Sequence, residues 1–372
     1  MKKIKVMAIF GTRPEAIKMA PVVQALKFQK NQFESIVVVT AQHREMLDQV
    51  LDAFHIVPDY DLNIMKKNQT LSMITASVLV GLDPIIEETQ PDVILVHGDT
   101  TTAFAASISA FYHHVKICHV EAGLRTGNLQ SPFPEEMNRQ VTDVLSDFYF
   151  APTEQSRKNL IKENHPAKQI FVTGNTAIDA LKSTVKTDYQ HPILTQIPSS
   201  HRILLMTMHR RENLGAPMEE VFKAVQKIAD TFEDVEVVFP VHLNPIVRDL
   251  VNEFLENHPR IHLIEPLDVI DFHNISARSY LILSDSGGVQ EEAPSLGVPV
   301  LVLRDSTERP EGVDAGTLKL VGTKTQDVFL AVSELLENPQ KYQEMSRTKN
   351  PYGDGNASQR ILEIIANSAS FN

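Results

Sequence analysis

A chain of 372 residues, 42% of them hydrophobic and 22% charged, has the balance of a folded globular protein and is long enough that two domains are expected. The net charge of −12 argues against broad nucleic-acid binding but leaves room for a small anionic ligand held by local Arg and Lys residues. No run approaches the roughly 18 apolar residues of a membrane span, and a single cysteine, Cys118, allows no intrachain disulfide, as suits a cytoplasmic protein.

Taken in chain order, short apolar runs alternate with helical patterns. Ile4–Phe10 is too short for a signal-peptide core and reads as a first buried strand. Further strands are expected at 35–40, 92–97, 116–120, 148–151 and 170–173. Several are continuous Val/Ile/Leu runs, the mark of parallel strands covered on both faces. Pro14 suits the first turn of a helix, and Thr70 and Thr153 suit N-caps. The polar stretch 181–201, with Pro192 and Pro198, reads as a linker. A second series follows at 203–208, 235–240, 261–264, 281–284, 298–303 and 318–321, and the chain closes on a helix over 357–369. The order predicts an α/β fold of two Rossmann-like domains facing a central cleft, with residues 1–180 as the first and 181–355 as the second. The helix within 356–372 is expected to pack back on the first domain.

The chemistry-bearing segments fall where strands end. Gly11-Thr12-Arg13-Pro14-Glu15 follows the first strand, with Lys18 nearby; the turn lets backbone approach a ligand and the helix start favours an anion. It lacks the Gly-x-Gly-x-x-Gly dinucleotide fingerprint. Asp285-Ser286-Gly287-Gly288 opens a helix whose first amides can take a diphosphate, and Glu292 lies one turn on, placed to accept from ribose hydroxyls. Asp99, Glu121 and Glu135 are acids near strand ends, and the Gly- and Pro-rich segment 121–139, holding Arg125 and Arg139, reads as a functional loop. His209-Arg210-Arg211 puts an imidazole and two guanidiniums where they suit a phosphate leaving group. Tyr112-x-x-x-Lys116 and the His113, His114, Cys118, His119 group are discounted. Lys116 starts a strand, and Cys118 and His119 point to opposite faces, so no metal site is expected.

Together, residues 10–18, Val96-His97-Gly98-Asp99-Thr100, Val120-Glu121-Ala122-Gly123-Leu124-Arg125-Thr126, 134–139, 285–292 and Thr307-Glu308-Arg309-Pro310-Glu311 resemble the bacterial non-hydrolysing UDP-N-acetylglucosamine 2-epimerases, in order and over nearly the whole chain. The resemblance implies glycosyltransferase-B architecture and no cofactor. It implies that Arg13, Lys18, His209, Ser286, Gly287, Gly288, Glu292 and Arg309 hold UDP, with Phe272 and the Leu267 backbone near uracil. Asp99, Glu121 and Glu135 would be the acid–base carboxylates beside Arg139, with His209 also at the catalytic centre. A second UDP-N-acetylglucosamine would bind as activator near Gln42, His43, Arg44 and Arg210. A homodimer, with no nucleic-acid or membrane partner, is expected.

The implied reaction gives these residue types a purpose. Loss of UDP from C1 makes the C2 hydrogen acidic, so a carboxylate can remove it; protonation of the resulting glycal on the other face and return of UDP invert C2. The products would supply cell-surface polysaccharide. A hydrolysing 2-epimerase, a retaining glycosyltransferase of the same architecture and a non-catalytic nucleotide-sugar sensor are the competing readings; the three carboxylates favour proton transfer.

Overall fold

The chain divides into two units, Met1–Ser183 with Tyr352–Asn372, and Thr184–Pro351. The computed structural model describes residues 2–368.

The first unit alternates strands β1 (Ile4–Phe10), β2 (Phe33–Val39), β3 (Tyr60–Asp61), β4 (Val93–His97), β5 (Lys116–Val120), β6 (Phe148–Ala151) and β7 (Ile170–Val172) with helices. These are α1 (Arg13–Phe28), α2 (Arg44–Ala53), α3 (Leu71–Thr89), α4 (Thr101–Tyr112), α5 (Glu135–Leu145), α6 (Glu154–Lys162) and α7 (Thr176–Thr184). The sheet runs β3-β2-β1-β4-β5-β6-β7, parallel throughout. β1 occupies the middle because its residues are buried on both faces, with Met7 opposite Ile36 on one side and Ile94 on the other. Strand order reverses between β1 and β4, so the loops leaving these two strands flank a crevice at their carboxyl ends. Thr12 caps α1 in a capping box with Glu15, and Pro14 lies in its first turn; Thr70 and Thr153 cap α3 and α6 as expected.

The second unit repeats the plan with β8 (Arg202–Thr207), β9 (Val235–Pro240), β10 (Ile261–Ile264), β11 (Leu281–Ser284), β12 (Val300–Val302) and β13 (Leu318–Leu320). Its helices are α8 (Pro192–Gln196), α9 (Ala216–Thr231), α10 (Pro245–Phe254), α11 (Val269–Arg278), α12 (Gly287–Glu292), α13 (Pro310–Ala315), α14 (Thr325–Glu337) and α15 (Pro339–Arg347). The order is β10-β9-β8-β11-β12-β13, again parallel, with the reversal between β8 and β11. The period of two sorts β8 between the two cores: Leu204 and Met206 join Phe222 and Phe239, while Ile203 and Leu205 join Ile275 and Ile282.

The last helix, α16 (Ala357–Asn367), belongs to the first unit and lies against α1. The Asp179 carboxylate of α7 accepts from the amides of Ala357 (3.1 Å) and Ser358 (2.7 Å), fixing its start. The stretch read as a linker is more ordered than its polarity suggests: α7 continues to Thr184, and Ile193 and Ile197 around α8 are buried in the second unit's core. No helix among the described residues is long and apolar enough to cross a membrane.

Candidate active site

In the first unit the loops after β4 and β5 converge on α5. Arg139 of α5 donates to the Asp99 carboxylate, to the Glu121 carbonyl and, at 3.4 Å, to Glu121 Oε1. Asn138 beside it donates to the Asp99 carbonyl at 2.9 Å. Lys18, from the second turn of α1, pairs with Glu121 Oε2. Asn175 Nδ2 lies 3.4 Å from that oxygen and His97 Nε2 3.6 Å from it. Glu121 is 8% exposed and has a φ of +65°, a left-handed backbone that a non-glycine residue adopts at a cost and that aims its side chain into this cluster. Burial alone would raise its pKa; Lys18, His97 and Arg139 overcome that and hold the carboxyl well below the usual range, so Glu121 is ionised. The arrangement sets a buried carboxylate base next to a half-exposed one, bridged by one guanidinium.

Glu135 is placed differently. It opens α5 and is half-buried, and among the described residues no hydrogen bond joins it to the Asp99–Glu121 cluster. Its neighbour Glu136 is the one built in, accepting from the amides of Thr126 and Gly127 at 3.0 Å each and so tying down the loop before α5. Arg125 is likewise a structural tie, pairing with Asp143 and Glu163 at 2.6 Å. Gly11 is needed for close packing: a Cβ there would stand 1.9 Å from Thr40 Oγ1 and 2.7 Å from Thr102 Oγ1. Arg13 is half-buried in the first turn of α1. Gln42 accepts from Thr102 at 3.0 Å, the His43 amide donates to the Gly11 carbonyl at 3.3 Å, and Arg44 pairs with Asp48 and Asp61.

In the second unit the loop after β8 hangs from the end of β11. The fully buried Asp285 carboxylate accepts from the amides of His209 (3.1 Å) and Arg210 (2.9 Å) and from Asn213 Nδ2 (2.9 Å). Arg210 Nε donates to the Asp285 carbonyl at 2.9 Å. The His209 ring stacks on His242 with centroids 5.7 Å apart. Burial lowers its pKa, Asp285 opposes, and His242 and Arg210 lower it further. Next in the chain, Ser286-Gly287-Gly288 leads into α12, and the Arg309 guanidinium lies over Gly287, where a Cβ would come within 2.6 Å of it. Arg309 Nε is anchored on Glu291 at 2.7 Å. Glu292 lies 3.4 Å from His273 Nε2, and the other nitrogen of that ring is 2.7 Å from Thr184 Oγ1. Leu267 and Phe272 are half-buried against the apolar cluster of Ile275 and Val289.

His97, His119, Asp143, Asn175, Asp285 and His273 complete these clusters although the sequence reading assigned them no role. His97 and Asp285 stood inside segments already singled out. Asp143 and His273 sit on helices whose pattern marks only a buried face, so their partners, distant in sequence, were hidden.

These features define a two-unit, doubly wound α/β protein with a buried and a half-exposed carboxylate at one strand-order reversal and a glycine turn beside arginines at the other. Residues 25–366 match the family model for UDP-N-acetylglucosamine 2-epimerase. The UDP-N-acetylglucosamine 2-epimerase of Bacillus subtilis is 62% identical over 365 residues, covering 98% of this chain and 96% of that one. Among solved structures, S. aureus MnaA in a co-structure with UDP has a TM-score of 0.87 at 54% identity, covering 97% of this chain and 96% of that one. The UDP-GlcNAc 2-epimerase of Neisseria meningitidis, bound to UDP-GlcNAc, has a TM-score of 0.88 at 49% identity, covering 98% and 100%. The chain belongs to the UDP-N-acetylglucosamine 2-epimerase family and shares its glycosyltransferase-B fold class.

Proposed function

We propose that this chain interconverts UDP-N-acetylglucosamine and UDP-N-acetylmannosamine without releasing free sugar, in the cytoplasm, as a source of cell-surface polysaccharide precursors. The observation that carries the reading is the Asp99–Arg139–Glu121–Lys18 cluster, in a chain of this family. The C1–O bond breaks and UDP departs with its electron pair. A carboxylate of the Asp99/Glu121 pair takes the C2 proton, leaving a C1=C2 glycal. A second carboxyl, with Glu135 as the third candidate, returns a proton to the opposite face of C2, and the UDP oxygen re-forms its bond to C1. Glu121, ionised at rest, is suited to begin as base.

The nucleotide falls to the second unit: Ser286, Gly287, Gly288 and Arg309 to the diphosphate, Glu292 to the ribose, Phe272 and the Leu267 backbone to uracil. His209 meets the leaving phosphate, and Arg13 and Lys18 add positive charge from α1. A second UDP-N-acetylglucosamine acts as activator through Gln42, His43, Arg44 and Arg210. Arg44 is already held by Asp48 and Asp61, so activator binding there exchanges those ion pairs for phosphate contacts. The protein works as a homodimer, for which the outward apolar side chains of α3, α4 and α5 are the support.

Proton NMR of UDP-N-acetylglucosamine turnover in deuterium oxide tests the reaction. UDP-N-acetylmannosamine carrying deuterium at C2 is the expected product. Free N-acetylmannosamine with UDP would make the enzyme hydrolysing, and protium retained at C2 would overturn the elimination route.

A further inference from the structure

We propose that His119 is a positioning residue held as an imidazolium, linking the turn that carries Asp99 to helix α5. The proposal rests on the reading of Asp99 and Glu121 as the proton-transfer pair. His119 is fully buried in β5. Its Nε2 is 2.8 Å from the Gly98 carbonyl oxygen and its Nδ1 is 2.6 Å from Asp143 Oδ1. A carbonyl oxygen only accepts, so Nε2 carries a hydrogen. Asp143 Oδ2 already takes donors from Arg125 Nη2 (2.6 Å) and the Gly123 amide (3.3 Å). With a guanidinium and an amide both donating to it, Asp143 is a carboxylate, and a carboxylate also only accepts. Nδ1 therefore carries a hydrogen too, and the ring is doubly protonated. A neutral ring would leave one buried nitrogen facing an acceptor with no hydrogen between them. The other titratable groups beside it are His97 on β4, whose pKa it helps to lower, Tyr149, its register partner on β6, and Arg125, which shares the Asp143 carboxylate with it.

The consequence lies in how α5 is read by its neighbours. Arg139 and Asp143 are four residues apart and share one face of that helix. Arg139 holds Asp99 and Glu121; Asp143 holds His119 and, through it, the Gly98 carbonyl immediately before Asp99. One helix thus fixes the strand-end turns of both β4 and β5 at two points each. The ring has no exposed surface, so it acts through Gly98 and Asp99.

Two measurements decide this. In full-length enzyme labelled with nitrogen-15 histidine, at neutral pH, one ring should show both nitrogens protonated, and that signal should vanish in His119→Gln. A ring at this position with one unprotonated nitrogen overturns the charge assignment, and the result needs no variant to be active. In kinetics, His119→Gln and Asp143→Asn should each lower kcat about 10²-fold, the scale of a displaced catalytic group, with KM changed by less than about threefold and UDP affinity retained. Unchanged kcat in His119→Gln overturns the positioning role. Asp99→Asn, measured alongside, keeps the two readings apart: full activity there refutes the carboxylate assignment, while the nitrogen signals answer for His119 on their own.

Discussion

Glu121 and His97 lie 3.6 Å apart in one buried cluster, and the proton transfer proposed for the first can be tested apart from the stability carried by the second. Removing the carboxylate function by Asp99→Asn or Glu121→Gln should cost at least about 10²-fold in kcat, the usual contribution of general acid–base help. UDP affinity by calorimetry should be unchanged, because the proposed nucleotide ligands lie mainly on other elements; wild-type turnover in both variants would refute the assignment. His97 carries a second, independent expectation. Neither of its ring nitrogens has a hydrogen-bond partner among the described residues, and burial pushes its pKa from 6.5 down to about 3 against the opposing pull of Glu121. The unfolded chain therefore binds this proton more tightly than the folded one. Stability is fully present above pH 6.5 and is lost as pH falls toward 3, by up to about 1.4 kcal/mol per pH unit. His97→Asn should flatten the dependence of urea unfolding free energy on pH across that window. An unaltered slope would mean that other groups, such as Asp143, carry the acid sensitivity.

Strands and helix starts were the most legible features because they depend on local chemistry. β1, β5, β6, β9, β10 and β11 lie where continuous apolar runs predict them, and Thr70, Thr153 and Pro14 take the cap and first-turn positions expected of them. β3 has two residues, too few for any periodicity to show. Connections between elements were illegible for a different reason. A helical pattern marks α5 as half-buried, but nothing in it says that Arg139 will reach Asp99, 40 positions away. The same applies to Glu15. Its capping box is local, yet its Oε1 also takes the Thr100 hydroxyl at 2.6 Å, tying the turn after β1 to the turn after β4. In the second unit the steric relation of α12 to Arg309 yields a clear expectation. Gly287→Ala puts a methyl within 2.6 Å of the guanidinium carbon, so Arg309 must move. Alanine favours helix over glycine, so folding stability should not fall through propensity. UDP affinity should nevertheless drop by about 1.5–3 kcal/mol, tenfold or more, the range for a lost hydrogen bond to a charged group. Glu292→Ala should cost a similar amount if it holds the ribose. Calorimetry with UDP showing native affinity in Gly287→Ala would remove Arg309 from the diphosphate site.

The two-unit plan was readable because the same alternation of strand and helix occurs twice, and each sheet reverses its strand order once. What the alternation did not reveal is how the outer surface of the first unit is used. α3 lies against α4 and α4 against α5, and all three carry apolar side chains outward. On α4 these are Phe104, Ile108 and Phe111, and on α5 Met137, Val141 and Val144, each set spaced i, i+4, i+7 along one helix face. Phe111 is 56% exposed, Val144 71% and Val80 of α3 73%. A solvated helix face normally carries charge, and single exposed apolar residues need no explanation, but adjoining stripes on three packed helices mark an interaction surface. The homodimer proposed above would bury them, and each protomer would present the same patch to the other across a twofold axis. Sedimentation equilibrium of the native protein should therefore give the dimer mass at micromolar concentrations. Phe111→Asp combined with Val144→Glu places like charges on both sides of that contact and should give a monomer whose circular dichroism is native, since neither side chain belongs to the buried cores. A native protein that sediments as a monomer, or a doubly substituted one that still sediments as a dimer, would move the dimer contact away from α4 and α5 or remove it altogether.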